Sequence, residues 1–217
     1  MKNLPTYITE KLKIGKNNPY NKPYQYFPKN SYELSYKVLE EKMNMVENNI
    51  LDMSDVDISN VTNLDSLFTE VNAYNPNIDT IDISGWNTSH IEYMGAMFAY
   101  CKNIKRIIGI EDLDLKSCKD MHSMFAICSS LESLDISKWN PDPQILSDIS
   151  GMFDTCSSLK EIKGIESEIW EDVIVSIPAS GVEQMFIKCP KLKLDLRSWY
   201  DFKDTTQMVK KCPKIRL

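Results

Sequence analysis

The strings MFAYC (residues 97–101), MFAIC (124–128), MFDTC (152–156) and MFIKC (185–189) decide the fold of this chain. An earlier copy, LFTEV, spans residues 67–71, and a degenerate copy, MVKKC, spans residues 208–212. The six copies begin 30, 27, 28, 33 and 23 residues apart. A period in this range is typical of repeat proteins whose units stack on one another. The repeat therefore predicts a stacked core made of Met97, Phe98, Cys101, Met124, Phe125, Cys128, Met152, Phe153, Cys156, Met185, Phe186 and Cys189.

The residues around each Met-Phe pair predict the local structure of a unit. Apolar residues such as Ile91, Met94 and Cys101 stand six and three positions before the Met and four after it. This spacing predicts one face of a short amphipathic helix, and Ser89 with Glu92 predicts a capping box at its start. Short runs that alternate apolar and polar residues predict strands, and these are IDISGW (81–86), LDLKS (113–117), LDISKW (134–139) and LDLRSW (194–199).

These patterns together predict an α/β repeat fold. We expect a solenoid of about six strand-loop-helix units, with one narrow parallel sheet on one side and the helices on the other. Residues 1–50 do not follow the repeat, and they are predicted to form an N-terminal cap that is partly helical and partly irregular, with a helix opened by Ser31. Residues 51–217 are predicted to form the solenoid. Its C-terminal edge lacks an equivalent cap, so we expect that edge to be frayed, self-associated or covered by a partner.

Charge and composition exclude several classes of function. The net charge is −6, and residues 51–202 carry about −13 of charge against +3 for residues 1–50. An acidic body repels phosphate, so we expect no nucleic-acid partner. No run of 18 apolar residues is present, so no membrane insertion is predicted. The N-terminus lacks the features of a secretory signal, and a cytoplasmic or virion-associated location is therefore favoured over a secreted one.

The chemistry-bearing residue types are sparse. The chain has two histidines, His90 and His122, and neither a CxxC motif nor a GxxxxGK motif. We therefore predict no catalytic residues, no metal site and no cofactor. Five of the six cysteines occupy the same position of the repeat, which favours small buried apolar groups over ligands or nucleophiles. The tryptophans after the strands are interpreted in the same way, as parts of the repeated core.

The repeat resembles a known family. The strings IDISGWNTSHIEYMGAMFAYCKNIK (81–105), LDISKWNP (134–141) and ISGMFDTCSSLKEI (149–162) resemble the BspA-like leucine-rich repeat family, whose consensus is similar to LDLSxWDTSxVTxMxxMFxxCxxL. The resemblance covers about residues 55–217. It implies a leucine-rich-repeat solenoid used for adhesion, host interaction and protein binding on bacterial or protist surfaces. Relatives in phages leave a virion-associated role open.

Two groups of residues are candidates for binding. Asp82, Asp114, Asp135 and Asp195 lie between inward apolar residues, so they are predicted to face outward in one acidic column. Carboxylates so close together repel, and the offsetting interaction is local hydrogen bonding, a cation such as calcium, or a basic partner. Tyr20, Tyr24 and Tyr26 form the second group, because they lie outside the repeat in a Tyr- and Pro-rich segment.

The sequence favours a non-enzymatic function. The leading hypothesis is a protein-binding module that docks a protein ligand on its acidic, repeat-built face. The alternative is a structural component of a virion or surface assembly, joined through the C-terminal edge.

Overall fold

A helical segment opens the described part of the chain. The computed structural model describes residues 23–200 and 208–216. Helix α1 (Ser31–Glu33) continues through a π-helical turn (Leu34–Val38) into α2 (Leu39–Asn44). The side chain of Asn30, one residue earlier than predicted, accepts the N–H of Glu33 and caps this segment. Leu34, Val38 and Leu39 are buried against the first repeat unit.

The strands are short and parallel. They are β1 (Ile50–Asp52), β2 (Thr80–Asp82), β3 (Arg106–Ile108), β4 (Ser133–Asp135), β5 (Glu161–Lys163), β6 (Leu194–Asp195) and β7 (Ile215–Arg216). They form three separate sheets, in the orders β1-β2-β3, β4-β5 and β6-β7. Three helices complete the described elements: α3 (Val71–Tyr74), α4 (Glu168–Ser176) and α5 (Arg197–Tyr200), with 3₁₀ turns at Ile110–Asp112 and Ala179–Val182.

The predicted helix of each repeat unit is wrong, because the Met-Phe segments are runs of tight turns. The N–H of Met97 bonds to the carbonyl of Met94, and the N–H of Cys101 bonds to that of Phe98, each three residues back. Ala96 and Tyr100 adopt left-handed backbone angles, with φ of 52° and 64°. The equivalent residues before Met and Cys in the other units do the same, and a left-handed residue every fourth position ends any α-helix.

The turns persist because their backbone groups bond to the neighbouring unit. The N–H groups of Met94, Ala96, Phe98 and Tyr100 donate to the carbonyls of Asp120, His122, Met124 and Ala126 at 2.7–2.9 Å. The next unit along the chain repeats the pattern, because the N–H of Phe125 bonds to the carbonyl of Met152 at 2.9 Å. We call this set of bonds the turn ladder. A helix would use the same N–H groups internally and leave the units unconnected.

The predicted single sheet is also wrong, and with it the predicted leucine-rich-repeat solenoid of strand-loop-helix units. The sheet is interrupted after β3 and after β5. Each of these strands is followed by a glycine with positive φ, Gly109 at +85° and Gly164 at +93°. A Cβ on Gly109 would lie 2.7 Å from the Cα of Ser84 in the preceding unit, so only glycine permits this close approach.

A column of phenylalanine rings runs through the stacked units. Phe68, Phe98, Phe125, Phe153 and Phe186 are fully buried. Their successive ring centroids are 5.2, 5.5, 5.5 and 5.7 Å apart, and the rings lie within 15° of parallel. All twelve Met, Phe and Cys side chains of the four best copies are no more than 1% exposed. The recurring residues therefore form one continuous core.

The cysteines connect neighbouring units. The thiol of Cys128 donates to the carbonyl of Phe98 at 3.1 Å, and the thiol of Cys156 donates to that of Phe125 at 3.0 Å. Cys101, Cys189 and Cys212 make the equivalent bond to Phe68, Phe153 and Phe186. All six cysteines are buried free thiols, and burial raises the pKa of Cys101, Cys118 and Cys156 to about 12. The thiols of Cys101, Cys118 and Cys156 therefore stay protonated near neutral pH.

Truncating a central ring of the column should destabilise the whole stack. Phe125→Ala removes a ring packed between Phe98 and Phe153, and we expect a loss of about 3–5 kcal/mol in the free energy of unfolding. Urea unfolding followed by circular dichroism measures it. Tyr100→Ala is the control, because this side chain is 54% exposed and should cost little. Equal unfolding midpoints for both variants and the wild type would contradict the packing described here.

Candidate functional site

The outward side chains of β1 to β7 form the surface that we call the strand face. The middle residue of each three-residue strand points into the core, as with Ile81, which is fully buried, and Leu134, which is 5% exposed. The residues on either side point outward. Strand pairing aligns the last residue of each strand within a sheet: Asp52, Asp82 and Ile108 in the first sheet, Asp135 and Lys163 in the second, and Asp195 and Arg216 in the third.

The four aspartates of the predicted acidic column do not lie in one line. Asp82 is paired in register with Asp52 on one side and Ile108 on the other. Asp135 is opposite Lys163, and Asp195 is opposite Arg216. Asp114 lies outside the strands, in the stretch after the 3₁₀ turn at Ile110–Asp112. The strand face therefore carries mixed charge, with basic side chains between the acidic ones.

Local hydrogen bonds satisfy these carboxylates. Asp82 accepts the N–H of Ser84 at 2.9 Å, two residues later. Asp135 accepts the N–H and the hydroxyl of Ser137 at 3.0 and 2.6 Å, and the ammonium of Lys163 at 2.7 Å. The recurring Asp-x-Ser sequence is thus a turn in which the carboxylate closes a ring onto its own backbone. The lysine and serine contacts lower the pKa of Asp135 to about 2.

The other two aspartates are bonded in different ways. Asp195 binds the guanidinium of Arg197 through both carboxylate oxygens, at 2.8 and 2.6 Å, and this contact lowers its pKa. Its backbone N–H donates to the carboxylate of Glu166 at 2.7 Å. Asp114 accepts the N–H of Lys116 at 3.2 Å. Within residues 23–200 and 208–216, no group of three or more His, Cys, Asp or Glu side chains is arranged to hold a metal ion.

In the middle of the stack, lysines pair with acids of the preceding layer. Five ion pairs join an acid of one unit to a lysine 26 to 28 residues later, at 2.6–3.3 Å. These pairs are Asp79–Lys105, Glu92–Lys119, Asp112–Lys138, Glu132–Lys160 and Asp135–Lys163. The acid belongs to the earlier layer in every case. The negative charge of the middle of the chain is therefore partly neutralised within the stack.

An open hollow lies where the sheet is interrupted between β3 and β4. Its volume is about 630 Å³. Four basic side chains and two acidic ones line it, together with the apolar parts of β3 and β4, and the charged residues are Lys105, Arg106, Lys138, Lys163, Glu111 and Asp135. The apolar residues Ile107, Ile110 and Leu134 that contribute to its lining are 4–5% exposed, so the hollow offers little apolar side-chain surface at these positions.

The tyrosines of the second predicted group attach the N-terminal segment to the repeat. The hydroxyl of Tyr24 donates to the carbonyl of Gly85 at 2.9 Å, and burial raises its pKa. Tyr26 pairs with Val56 in parallel, and its hydroxyl donates to Glu41 at 3.1 Å. Tyr20 lies outside the described residues. The binding role predicted for these tyrosines stays a prediction.

The indoles that follow the strands are buried and hydrogen-bonded to the preceding layers. Trp86 donates to the carbonyl of Met53 at 2.9 Å, and Trp139 donates to that of Ile110 at 2.7 Å. They are 7% and 3% exposed, and Trp199 is 1% exposed. Their repetition therefore reflects packing between layers.

Sequence reasoning missed the glycine-containing units that interrupt the sheet. The strings KRIIGIE (105–111) and KEIKGIE (160–166) share one pattern, Lys-x-Ile-x-Gly-Ile-Glu, and they alternate with the Asp-x-Ser units. Their first lysines are Lys105 and Lys160, which form the interlayer ion pairs. Glu166 at the end of the second string accepts the N–H of Asp195. The signal was present as a second repeat, with a spacing of 55 residues.

A family model supports the repeat assignment in part. Residues 79–172 match the family described as "Mycoplasma protein of unknown function, DUF285", and they are 94 of the 217 residues of the chain. The matched segment begins just before β2 and ends within α4, so it contains β2 to β5 and the hollow. No curated protein and no solved structure matches the chain. In the described residues, no helix is long and apolar enough to cross a membrane.

Removing the lysine opposite Asp135 should return the pKa of that carboxyl toward its ordinary value of about 3.9. The variant is Lys163→Met, and the carbon NMR shift of the Asp135 carboxyl, followed from pH 1.5 to 6, measures the change. In the wild type this pair stabilises the fold above about pH 4, and its contribution is lost as the pH falls toward 2.

Lys119→Met is the matched control, because Lys119 pairs with Glu92 and not with the strand-face aspartate. It should leave the pKa of Asp135 unchanged. An unchanged pKa in Lys163→Met would show that the ion pair is absent in solution.

Proposed function

We propose that this protein is a non-enzymatic protein-binding module whose strand face, with its hollow between β3 and β4, docks a protein ligand. One observation carries the proposal. The positions that recur between units lie in the core, whereas the first outward position of each strand holds a different residue, namely Ile50, Thr80, Arg106, Ser133 and Glu161. A stack with a constant interior and a varied exterior is how repeat proteins build extended binding surfaces.

The surroundings of the cysteine and histidine side chains support a non-catalytic role. The best nucleophiles of the chain, its cysteines, are buried and bonded to backbone carbonyls. His122 is paired with Asp120 at 2.8 Å, and the same carboxylate accepts the His122 N–H at 2.8 Å. The Asp120–His122 pair repeats the local Asp turn seen at Asp135. The turn itself therefore explains the pair, and a catalytic role is not needed to explain it.

The proposal includes a relation to the BspA-like repeat proteins at the level of the repeat sequence. The shared occurrence of Trp, Met-Phe and Cys in register supports it, and the family match over residues 79–172 is compatible with it. A role in adhesion or host interaction belongs to the same proposal. The fold that the resemblance implied is not part of it.

Site-specific photocrosslinking tests the strand face directly. A benzophenone amino acid is placed at Arg106 or at Ser133, both on the strand face, and at Tyr100 in a Met-Phe segment as the control. The chain is then irradiated in an extract of the cells that encode it. We expect one and the same protein to crosslink at Arg106 and Ser133 and not at Tyr100, as identified by mass spectrometry.

A charge reversal makes the result specific. Arg106→Glu inverts a side chain at the rim of the hollow and should lower the crosslink yield from position 133 severalfold, whereas Lys102→Glu should not. Equal crosslinking at all three positions would contradict the proposal. Crosslinks to a second copy of the chain alone would replace it with the structural-component hypothesis.

A further inference from the structure

The interruption between β3 and β4 leaves two strand edges without a partner strand. Among the described strands, β3 is paired only with β2, and β4 is paired only with β5. The N–H of Arg106 and the carbonyl of Ile108 bond to the preceding layer at 3.3 and 3.0 Å. Because successive residues of a strand direct their backbone groups to opposite sides, Ile107 directs its N–H and its carbonyl toward β4.

Strand β4 directs two residues toward the same interruption. The carbonyl of Glu132 and the N–H of Ile136 bond to the following layer at 2.8 and 2.9 Å. Ser133 and Asp135 alternate with the residues that face that layer, so they direct their backbone groups toward β3. Both residues line the hollow of about 630 Å³, and so does Ile107. The hollow is therefore bounded on two sides by the edges of extended strands.

The second interruption of the sheet, between β5 and β6, shows how the chain itself satisfies such an edge. The N–H of Lys193 donates to the carbonyl of Lys160 at 3.2 Å. The N–H of Asp195 donates to the carboxylate of Glu166 at 2.7 Å. These two donors stand two residues apart along the chain, and the preceding layer supplies an acceptor to each.

The equivalent acceptors do not reach the edge of β4 at the first interruption. The repeated Lys-x-Ile-x-Gly-Ile-Glu pattern places Lys105 and Glu111 where the second interruption has its acceptors. The carbonyl of Lys105 does not accept the N–H of Ser133, and the carboxylate of Glu111 does not accept that of Asp135. Glu111 belongs instead to the 3₁₀ turn at Ile110–Asp112. The two N–H groups have the spacing of alternate carbonyls in an extended chain.

The hollow is a basic site on an acidic chain. Residues 51–101 hold eight acidic side chains and no lysine or arginine, whereas four basic and two acidic side chains line the hollow. Three of the four basic side chains are paired with acids at 2.7–3.3 Å, and these are Lys105, Lys138 and Lys163. Arg106 forms no ion pair in the described part of the chain. A carboxylate placed beside Arg106 on a neighbouring strand would supply that pair.

We infer that the partner of the proposed function inserts an extended acidic segment between β3 and β4. Alternate carbonyls of this segment accept the N–H groups of Ser133 and Asp135, and the intervening residues bond to the backbone of Ile107. A carboxylate of the segment pairs with Arg106. The mode is strand addition, made here to two edges at once.

The size and surface of the hollow fit such a segment. The three-residue edges are about 10 Å long at about 3.3 Å per residue, so three or four residues of the partner cover them. Main-chain bonding also suits a hollow that offers little apolar side-chain surface. The inference rests on the proposed function and names the chemistry of its partner.

The test uses the full chain and a fluorescein-labelled peptide of alternating Glu and Val, with binding followed by fluorescence anisotropy. The chain should bind this peptide. One analogue carries N-methyl groups on its Glu residues and a second carries them on its Val residues, so each analogue loses its donors toward one edge only. Because the inserted segment bonds to both edges, each analogue should bind at least tenfold more weakly.

Charge variants and hydrogen exchange locate the binding. Arg106→Glu should bind the Glu-Val peptide at least tenfold more weakly. The matched control, Lys102→Glu, has the same change of charge outside the hollow and should bind like the wild type. Adding the peptide to the wild type should slow hydrogen exchange at the amides of Ile107 and Ser133 at least tenfold.

Four results would overturn the inference. Weaker binding of only one methylated analogue would replace insertion with addition to a single edge. Undiminished binding of both analogues, or no binding of the Glu-Val peptide, would exclude main-chain docking and leave the proposed function to its photocrosslinks. Equal binding of a single-stranded oligonucleotide would overturn the choice of a protein segment. A dimer of the chain alone in sedimentation, abolished by Arg106→Glu, would assign the site to a second copy.

Discussion

The backbone hydrogen bonds between successive Met-Phe segments impose the constraint on which the rest of the structure depends. The N–H groups of Phe98, Phe125 and Phe153 each donate to the carbonyl of the Met in the next unit at 2.9 Å. This register allows the phenylalanine rings to lie directly above one another, nearly parallel and about 5.5 Å apart. It also sets the direction of each cysteine thiol toward the Phe carbonyl of the preceding unit. The packing of the core, the pairing of the strands and the alignment of surface side chains between units are all consistent with this register.

The same stacking organises the charges. An acid and a lysine meet because their positions in successive units are superimposed, as with Glu132 and Lys160 at 2.6 Å. Such exposed pairs are individually weak, but they decide which charges remain for a partner. The pairing of these charges is a property of the stack, and it is invisible in the net charge of −6.

The sequence predicted which residues recur, and the recurring Met, Phe, Cys and Trp side chains are buried in the structure. It did not predict the backbone of the Met-Phe segments. Apolar residues at 91, 94, 97, 98, 101 and 104 were interpreted as a helical face, but steps of three match a run of tight turns better than the 3.6-residue period of a helix. Propensity alone could not decide, because bonds between units, and not within them, stabilise these turns.

For the candidate site, the sequence predicted the residue types that recur but not how their side chains are arranged. The Asp-x-Ser turns were visible in the sequence, and local bonding was one of the alternatives for their carboxylates. The interruption of the sheet was not anticipated, because the alternating run at residues 113–117 predicted a strand in the third unit, whereas the third strand is Arg106–Ile108. The alternation of two kinds of unit placed Lys163 opposite Asp135, and this pairing changes a predicted acidic column into a surface of mixed charge.

Native-state hydrogen exchange of the ladder amides tests the central claim most directly. The amides of Phe98, Phe125 and Phe153 should exchange with a common opening free energy, equal to the free energy of unfolding measured in urea, because opening one requires separating the stacked units. The exposed amide of Lys102, whose N–H bonds only to the carbonyl of Tyr100 two residues back, should exchange much faster. Exchange of the three phenylalanine amides at the rate of Lys102 would show that the ladder does not hold the units together.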